Sequence, residues 1–251
     1  MRRPSILAIV VVVAAALPAL ALATPVTTPV PVAGVFVTVE SRGDFDVQVR
    51  EGSPALVEVV AEPGWAERIQ VEVDGGVLRL SRVNAFDSAR GAVVKVVLSE
   101  FRGLSVAGSG KGSAESGPAP RDVNLAVSGS GGISWKGAAA ALHATVSGSG
   151  GLRVQAETGP ASVSVSGSGS AKLSGKGESL KATVAGSGGV HAAEFAARDA
   201  SVSVSGSGDI DLRVAGGTLD ARIAGSGNVT WSGEAKLGDV EVTGSGRFRK
   251  R

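Results

Sequence analysis

Asp209 and Asp211 stand in the stretch of the chain whose residue types come nearest to a metal site. They follow a Gly-Ser-Gly corner in GSGDID, which resembles one unit of the glycine-rich solenoid repeats that bind calcium. A calcium site of that kind takes carboxylates from successive repeats. The equivalent positions in the two neighbouring repeats are Gly189 and His191, and Asn228 and Thr230. Because neither repeat supplies a carboxylate, we expect no metal site here.

The other residues that could do chemistry do not form a catalytic or cofactor pattern. The histidines, His143 and His191, are 48 residues apart and the chain has no cysteine, so they lack metal-ligand spacing. The Gly-Ser-Gly corners lack the third glycine of a dinucleotide fingerprint, and Gly110-Lys111 is not followed by Ser or Thr as in a phosphate loop. The nucleophile elbow Gly-x-Ser-x-Gly does not occur either. We therefore predict no catalytic, cofactor-binding or metal-binding residues.

A polysaccharide-cleaving enzyme is the main catalytic alternative, because such chemistry needs carboxylates clustered on one face. The acidic residues in the repeats are instead scattered through them: Glu157, Glu178, Glu194, Asp199, Asp220 and Glu234. We interpret the protein as non-enzymatic. A polysaccharide-binding or polysaccharide-cleaving protein of the cell envelope remains the alternative.

The dominant feature of the sequence is the corner Gly-Ser-Gly itself, which occurs eight times. Its steps are 21, 19, 19, 19, 20, 19 and 19 residues, and such a period is typical of a repeat architecture. The eight first glycines are Gly108, Gly129, Gly148, Gly167, Gly186, Gly206, Gly225 and Gly244.

Apolar and small residues alternate on both sides of each corner, as in Val163–Val165 before one corner and Leu152–Val154 after another. A period of two predicts strands with one buried face. A coil of 19 to 20 residues is too short to include a helix between parallel strands. The sequence therefore predicts an all-β fold, a parallel β-helix or β-solenoid whose coils stack about 4.8 Å apart. Trp135 and Trp231 share one inward position, so we expect both in the core.

The two ends of the chain differ from the repeats. Residues 1–23 combine Arg2 and Arg3, an apolar core and Ala21-Leu22-Ala23, which predicts a cleaved signal peptide. Residues 24–34 hold three prolines and predict an extended spacer. Residues 247–251 are expected to form a basic C-terminal cap on a single solenoid domain spanning residues 35–251, with Phe248 at a core position.

Removal of residues 1–23 leaves a chain of balanced charge. These residues hold two of the 25 basic residues and none of the 23 acidic ones, so residues 24–251 carry 23 of each. Nucleic-acid binding needs a basic footprint, and none is present apart from the last five residues. We expect no nucleic-acid partner, and membrane contact only through the signal peptide or the basic C-terminus.

Residues 35–105 have a β-rich texture without the corner and are predicted to form irregular N-terminal coils, followed by the corner repeats at 106–246. Strands are indicated over the alternating segments of this part: Val35–Val39, Phe45–Val49, Leu56–Ala61, Ile69–Val73, Val77–Leu80 and Val93–Leu98. Terminal coils of solenoids are usually atypical because they close the core.

The order of these parts resembles the autotransporter adhesins with a head GIN domain. The resemblance is carried by GDFDVQVREG at Gly43–Gly52, VDGGVLRL at Val73–Leu80 and the repeated VSGSG, and it covers nearly all of residues 24–251. It implies a right-handed parallel β-helix, an exported bacterial protein and an adhesive role. No catalytic residues come with this family.

Outward positions beside the corners carry Ser, Ala and Thr, which predicts a flat strip of small side chains that could contact a surface, a glycan or a protein. We therefore expect an exported adhesin-like or scaffolding protein, either periplasmic or located at the cell surface or outside the cell.

Overall fold

The computed structural model describes residues 24–84, 88–117 and 121–251. The predicted signal peptide at residues 1–23 lies outside the described residues. The strands are β1 (Val26–Pro29), β2 (Thr38–Gly43), β3 (Asp46–Glu51), β4 (Leu56–Ala61), β5 (Ile69–Asp74), β6 (Val77–Arg82), β7 (Val93–Leu98), β8 (Gly103–Gly108), β9 (Lys111–Glu115), β10 (Val123–Gly129), β11 (Gly132–Ala139), β12 (Leu142–Gly148), β13 (Gly151–Gly167), β14 (Ser170–Gly186), β15 (Gly189–Gly206), β16 (Asp209–Gly225), β17 (Asn228–Gly244) and β18 (Arg247–Lys250). A 3-10 turn, Ala66–Arg68, precedes β5.

The coils stack as a β-solenoid, as the repeat predicts. Each coil places one strand before its corner and one after it, and both pair in parallel with the same strands of the next coil, corner glycine against corner glycine. We call the two stacks the pre-corner sheet and the post-corner sheet. The long strands β13 to β17 belong to both sheets, because each one bends between a post-corner first half and a pre-corner second half.

Alternate side chains of both sheets point into a shared apolar core. In β13, Leu152, Val154 and Ala156 are buried on one side, and Ala161, Val163 and Val165 are buried on the other. The two tryptophans fill the core as expected, with Trp135 only 1% and Trp231 only 5% exposed. The period-two pattern therefore assigned the inner and outer faces of the repeats correctly.

The two glycines of a corner have different structural roles. The first glycine has a positive φ in all eight corners, between 105° and 125°, a region that side chains with a Cβ rarely adopt. A Cβ on the second glycine would lie 2.1–2.5 Å from a backbone carbonyl oxygen of the coil below. In the coil below, the carbonyl of Gly148 accepts hydrogen bonds from both Ser168 N (3.0 Å) and Gly169 N (2.8 Å). This paired bond recurs along the stack of corners.

The 20-residue step between Gly186 and Gly206 is accommodated by an irregular register in β15. The pairing of β15 shifts after Lys172 on one side and after Ala192 on the other, as in a β-bulge. Phe195 is thereby fully buried, with its ring packed where a Cβ on Gly177 would lie. One extra residue is thus absorbed without opening the core.

The N-terminal coils do not stack in the order of the sequence. The coil of β2 and β3 lies between the coil of β6 and β7 on one side and that of β8 and β9 on the other. Antiparallel strands then close this end, with β5 against β6 and β4 against β7. Strands β4 and β7 have the predicted bounds.

Residues 26–29, inside the predicted extended spacer, form the strand β1. Strand β1 pairs antiparallel with β4 from Val26 to Pro29. It is the outermost strand there, and a proline is tolerated at an edge because it has no N–H to donate. The exposed edge of β4 explains why a short segment with prolines can still pair.

Acidic side chains of the GDFDVQVREG segment fix the coils on both sides of β2 and β3. Asp44 accepts hydrogen bonds from Ser88 Oγ (2.6 Å) and Ala89 N (3.1 Å), and Asp46 accepts one from Lys111 N (2.8 Å). Glu51 accepts from Phe101 N (2.8 Å) and Arg121 Nη1 (2.7 Å). Burial acts to raise the pKa of Asp44, but the bonds from Ser88 and Ala89 outweigh it, so this pKa lies below its ordinary value.

The C-terminal end of the stack is covered on one side. Strand β18 pairs with the first half of β17, from Asn228 opposite Arg247 to Trp231 opposite Lys250. The ring of Phe248 stacks on Trp231 with centroids 6.3 Å apart. Among the described residues, no strand pairs with the outer edge of the second half of β17.

Replacing Gly167 by Val should lower the free energy of unfolding by at least about 2 kcal/mol, because valine cannot adopt φ of 105° without strain and its Cβ would lie 2.7 Å from Gly148 O. Urea unfolding followed by far-UV circular dichroism measures this. Ser168→Val, at the exposed middle position of the same corner, is the matched control and should change stability by no more than about 0.5 kcal/mol. Equal effects of the two variants would contradict the assignment.

Asp44→Asn should lower the free energy of unfolding at pH 7 by about 0.5–1 kcal/mol, a small amount because the carboxylate is partly exposed. Since the folded pKa is depressed, the wild-type advantage is complete above the unfolded pKa, near 3.8, and is lost as the pH falls through the lower folded value. Urea unfolding at pH 7, 4 and 2.5 checks this. The exposed Asp122→Asn is the control, and an Asp44→Asn difference that persists unchanged at pH 2.5 would refute the linkage.

Candidate functional site

The structure separates Asp209 and Asp211 into contacts with different coils. Asp209 Oδ1 accepts hydrogen bonds from the backbone N and from Nδ2 of Asn228 in the next coil, both at 2.9 Å. Asp211 Oδ2 lies 3.2 Å from Nδ1 of His191 in the preceding coil. Within the described ranges, no three His, Cys, Asp or Glu residues come together as a metal site would need. Both aspartates therefore connect coils.

Several other carboxylates connect coils in the same way. Asp199 Oδ1 accepts from Thr218 N at 2.9 Å, and Asp220 Oδ1 accepts from Asp239 N at 2.8 Å. The N–H of Thr218 and then the guanidinium of Arg198 lower the pKa of Asp199 below the usual range of an aspartate. These carboxylates accept hydrogen bonds from backbone amides, and this role accounts for their positions.

The histidines lie on opposite outer faces. His143 is exposed on the pre-corner sheet, opposite Ser162 of the next coil. His191 is exposed on the post-corner sheet, opposite Lys172 and Asp211. The structure does not bring the two together.

The outer face of the pre-corner sheet carries a regular array of small side chains, which we call the hydroxyl strip. Its two rows are aligned by the parallel register, so equivalent residues repeat at about 4.8 Å from coil to coil. The strip comprises Ser105, Ala107, Ala126, Ser128, Thr145, Ser147, Ser164, Ser166, Thr183, Ala185, Ser203 and Ser205. All of these residues are exposed or half-buried.

The middle serines of the corners continue this surface around one edge of the rod. All eight are exposed, and their backbone N–H groups are bonded to the coil below. The edge and the hydroxyl strip together present short side chains on a rigid backbone.

The outer face of the post-corner sheet is charged instead. Arg153, Lys172, His191 and Asp211 follow one another in a single row. Lys172 Nζ lies 3.3 Å from Glu194, which the bulge in β15 turns outward. An open depression of the surface here is lined by Lys136, Arg153 and Lys172 among others. Writing the repeats one beneath another shows both outer faces in the sequence, but the bulge that adds Glu194 is not visible in that way.

Within the part of the chain that the structure describes, no helix is long and apolar enough to cross a membrane.

Solved structures with the same architecture include three from Parabacteroides. The "putative lipid binding protein" of P. distasonis has a TM-score of 0.83 and 22% identity, over 91% of this chain and 97% of that one. The "putative adhesin" of P. merdae has a TM-score of 0.81 and 19% identity, over 91% and 96%. A "putative adhesin" of P. distasonis has a TM-score of 0.84 and 19% identity, over 92% and 98%. At such identities these structures establish a shared fold.

Among the curated proteins, none matches the sequence significantly. A family model does match, over residues 35–235. The match includes the out-of-order N-terminal coils as well as seven of the eight corners, so it spans the features that define this solenoid. On that evidence the chain belongs to the family described as "Putative auto-transporter adhesin, head GIN domain".

Proposed function

We propose that this protein is an exported, non-enzymatic, adhesin-like or scaffolding rod that contacts its target through the hydroxyl strip. The observation that carries the proposal is the regularity of that face. Six successive coils present small side chains at the same two positions, in register. A rigid face with short side chains can lie flat against an extended target and loses little side-chain entropy on contact. The family description as an adhesin supports the same role.

A binding role agrees better with the acidic residues than a polysaccharide-cleaving one does. Cleavage by paired carboxylates needs two carboxyl groups about 5–10 Å apart beside one sugar ring. The group that acts as acid or nucleophile must also be free of structural hydrogen bonds. Asp199, Asp209 and Asp220 each accept a backbone N–H from the next coil. Polysaccharide binding without cleavage stays within the proposal, as one kind of extended target.

The similar protein described as lipid binding suggests a test on bilayers. A lipid-binding role for this chain would draw on the basic residues Arg247, Arg249 and Lys250, which are exposed beside the half-buried Phe248. Anionic vesicles therefore belong in the binding screen beside glycans and proteins. The proposal favours a target that binds the hydroxyl strip, and the side chains of this strip are uncharged.

Introducing charge on the hydroxyl strip should weaken target binding. In the double variant Ser164→Lys and Ser203→Lys, two long cations project from the flat face and hold an extended target away, so affinity should fall at least ~tenfold. Wild type and variant are compared on a glycan array, on immobilised matrix proteins and on anionic vesicles. Ser134→Lys with Gln155→Lys, on the post-corner outer face, is the control and should bind like wild type. Equal binding by both double variants, or equal loss in both, would contradict the proposal.

Export predicts a defined new N-terminus. The small residues Ala21 and Ala23 should direct cleavage after Ala23, so that the exported protein begins at Thr24. N-terminal sequencing of protein recovered from the envelope or medium checks this. Ala21→Arg should block cleavage and leave a longer chain, whereas Ala33→Arg, downstream of the site, should not. Protein retained with Met1 in the wild type would overturn the prediction.

A further inference from the structure

The C-terminal end of the solenoid has the shape of a step. On the post-corner side β18 adds one strand beyond β17, whereas the pre-corner side stops at the second half of β17. The step is therefore one strand high, about 4.8 Å. Its lower half leaves backbone N–H and C=O groups of the β17 edge without a strand partner among the described residues, a surface that readily pairs with another strand.

The lower half of the step is also apolar. Leu237, Val240 and Val242 belong to the inward row of the pre-corner sheet, yet they are 48%, 39% and 42% exposed. The equivalent residues one coil earlier, Ala221 and Ile223, are buried. In the higher half, β18 covers Trp231, which is only 5% exposed. The pre-corner half of this end is therefore missing one strand, and that strand would need an apolar side chain facing inward.

We propose that a second copy of this chain supplies that strand, in a tail-to-tail dimer with a two-fold axis parallel to the strands of the end coil. This rotation turns the pre-corner side of one copy toward the post-corner side of the other. The high half of each step then fills the low half of its partner, and β18 of each copy pairs antiparallel with the β17 edge of the other. The two faces of the interface are identical, as a two-fold axis requires.

The rotation also fixes the register of this pairing. It leaves the distance from the corner unchanged, so residues equally far from Ser245 meet across the interface. Phe248 then covers Val242 of the other copy, and both belong to inward rows. Arg249 lies beside Glu241, which is on the outer row and is also ion-paired with Arg222 of its own chain at 2.9 Å. Each copy therefore contributes one aromatic contact and one opposite-charge pair, and both occur twice.

Other arrangements of two copies bring like charges together. A two-fold axis perpendicular to both sheets would pair β18 with itself and oppose its arginines, and it would leave the acidic β17 edges, with Asp239 and Glu241, facing each other across a gap two strands high. Head-to-tail stacking would set that acidic edge against β5, whose exposed residues are Glu72 and Asp74. Charge complementarity thus selects the tail-to-tail arrangement described above.

Disulfide trapping tests the arrangement directly, since the chain has no cysteine of its own. The double variant Glu241→Cys and Arg249→Cys should give a disulfide-linked dimer under mild oxidation, because within one copy these residues lie on opposite outer faces. Each single variant should remain unlinked. The control pair Ser203→Cys and His191→Cys occupies the same two rows in earlier coils and should not cross-link. Linkage through Glu241→Cys alone would instead indicate β17 paired with itself and overturn the proposal.

Sedimentation velocity over roughly 5–500 µM tests whether the dimer forms in the unmodified protein. The wild type should show concentration-dependent dimerisation. Val242→Lys, at an already exposed position, should weaken it at least ~tenfold because the cation would be buried against Phe248 and beside the arginines. Val35→Lys, at an apolar residue 77% exposed at the other end of the rod, should dimerise like wild type. A wild type that stays monomeric over the whole range, or a Val242→Lys variant that dimerises equally well, would overturn the proposal.

Discussion

The structure depends on one contact, the carbonyl oxygen of a corner glycine that accepts two backbone N–H groups from the corner above. Gly148 O holds Ser168 N and Gly169 N in this way, and the arrangement recurs from coil to coil. It requires the stacked backbones to come so close that a Cβ on the second glycine would overlap a carbonyl oxygen. Because every coil must return to this point, the corner holds the repeat to 19–21 residues and aligns the side chains of the regular coils into rows. The flat outer faces follow from that alignment.

The acidic residues serve the same stacking. A carboxylate has acceptor capacity and no donor, so it suits the amides that bends leave unpaired by the sheet ladders. Asp46, Asp199 and Asp209 each bond to an amide in a neighbouring coil, and Asp44 holds the loop before β7. Carboxylates that accept these amide bonds are engaged in stacking rather than free for a calcium site or for a pair of catalytic acids.

The two outer faces and the end offer different chemistry for contact. The pre-corner face carries short hydroxyl and methyl groups, while the post-corner face carries Arg153 and Lys172 beside Glu194. The end combines an apolar edge with the stacked pair Trp231 and Phe248, over which Lys250 Nζ lies 4.7 Å from the indole ring centre. In a dimer joined at its tails, the two hydroxyl strips would lie on opposite faces of the rod, so one dimer could hold two targets at once.

The sequence by itself determined the repeats, because what defines them is local. A period of two, a glycine pair and a fixed spacing are enough to predict the coil, the inward position of Trp135 and the core position of Phe248. In the N-terminal part, which lacks the corner spacing, only the tertiary structure decided which strands are neighbours. Alternation in β2, β6 and β8 fits any of their pairings, so the placement of β2 between the other two depends on long-range contacts such as those of Asp44 and Glu51. In the same way, the strand β1, the bulge that buries Phe195 and the half-covered end result from which backbone edges remain open once the coils have stacked. A strand's own residues specify its two faces but not the partner at its edge.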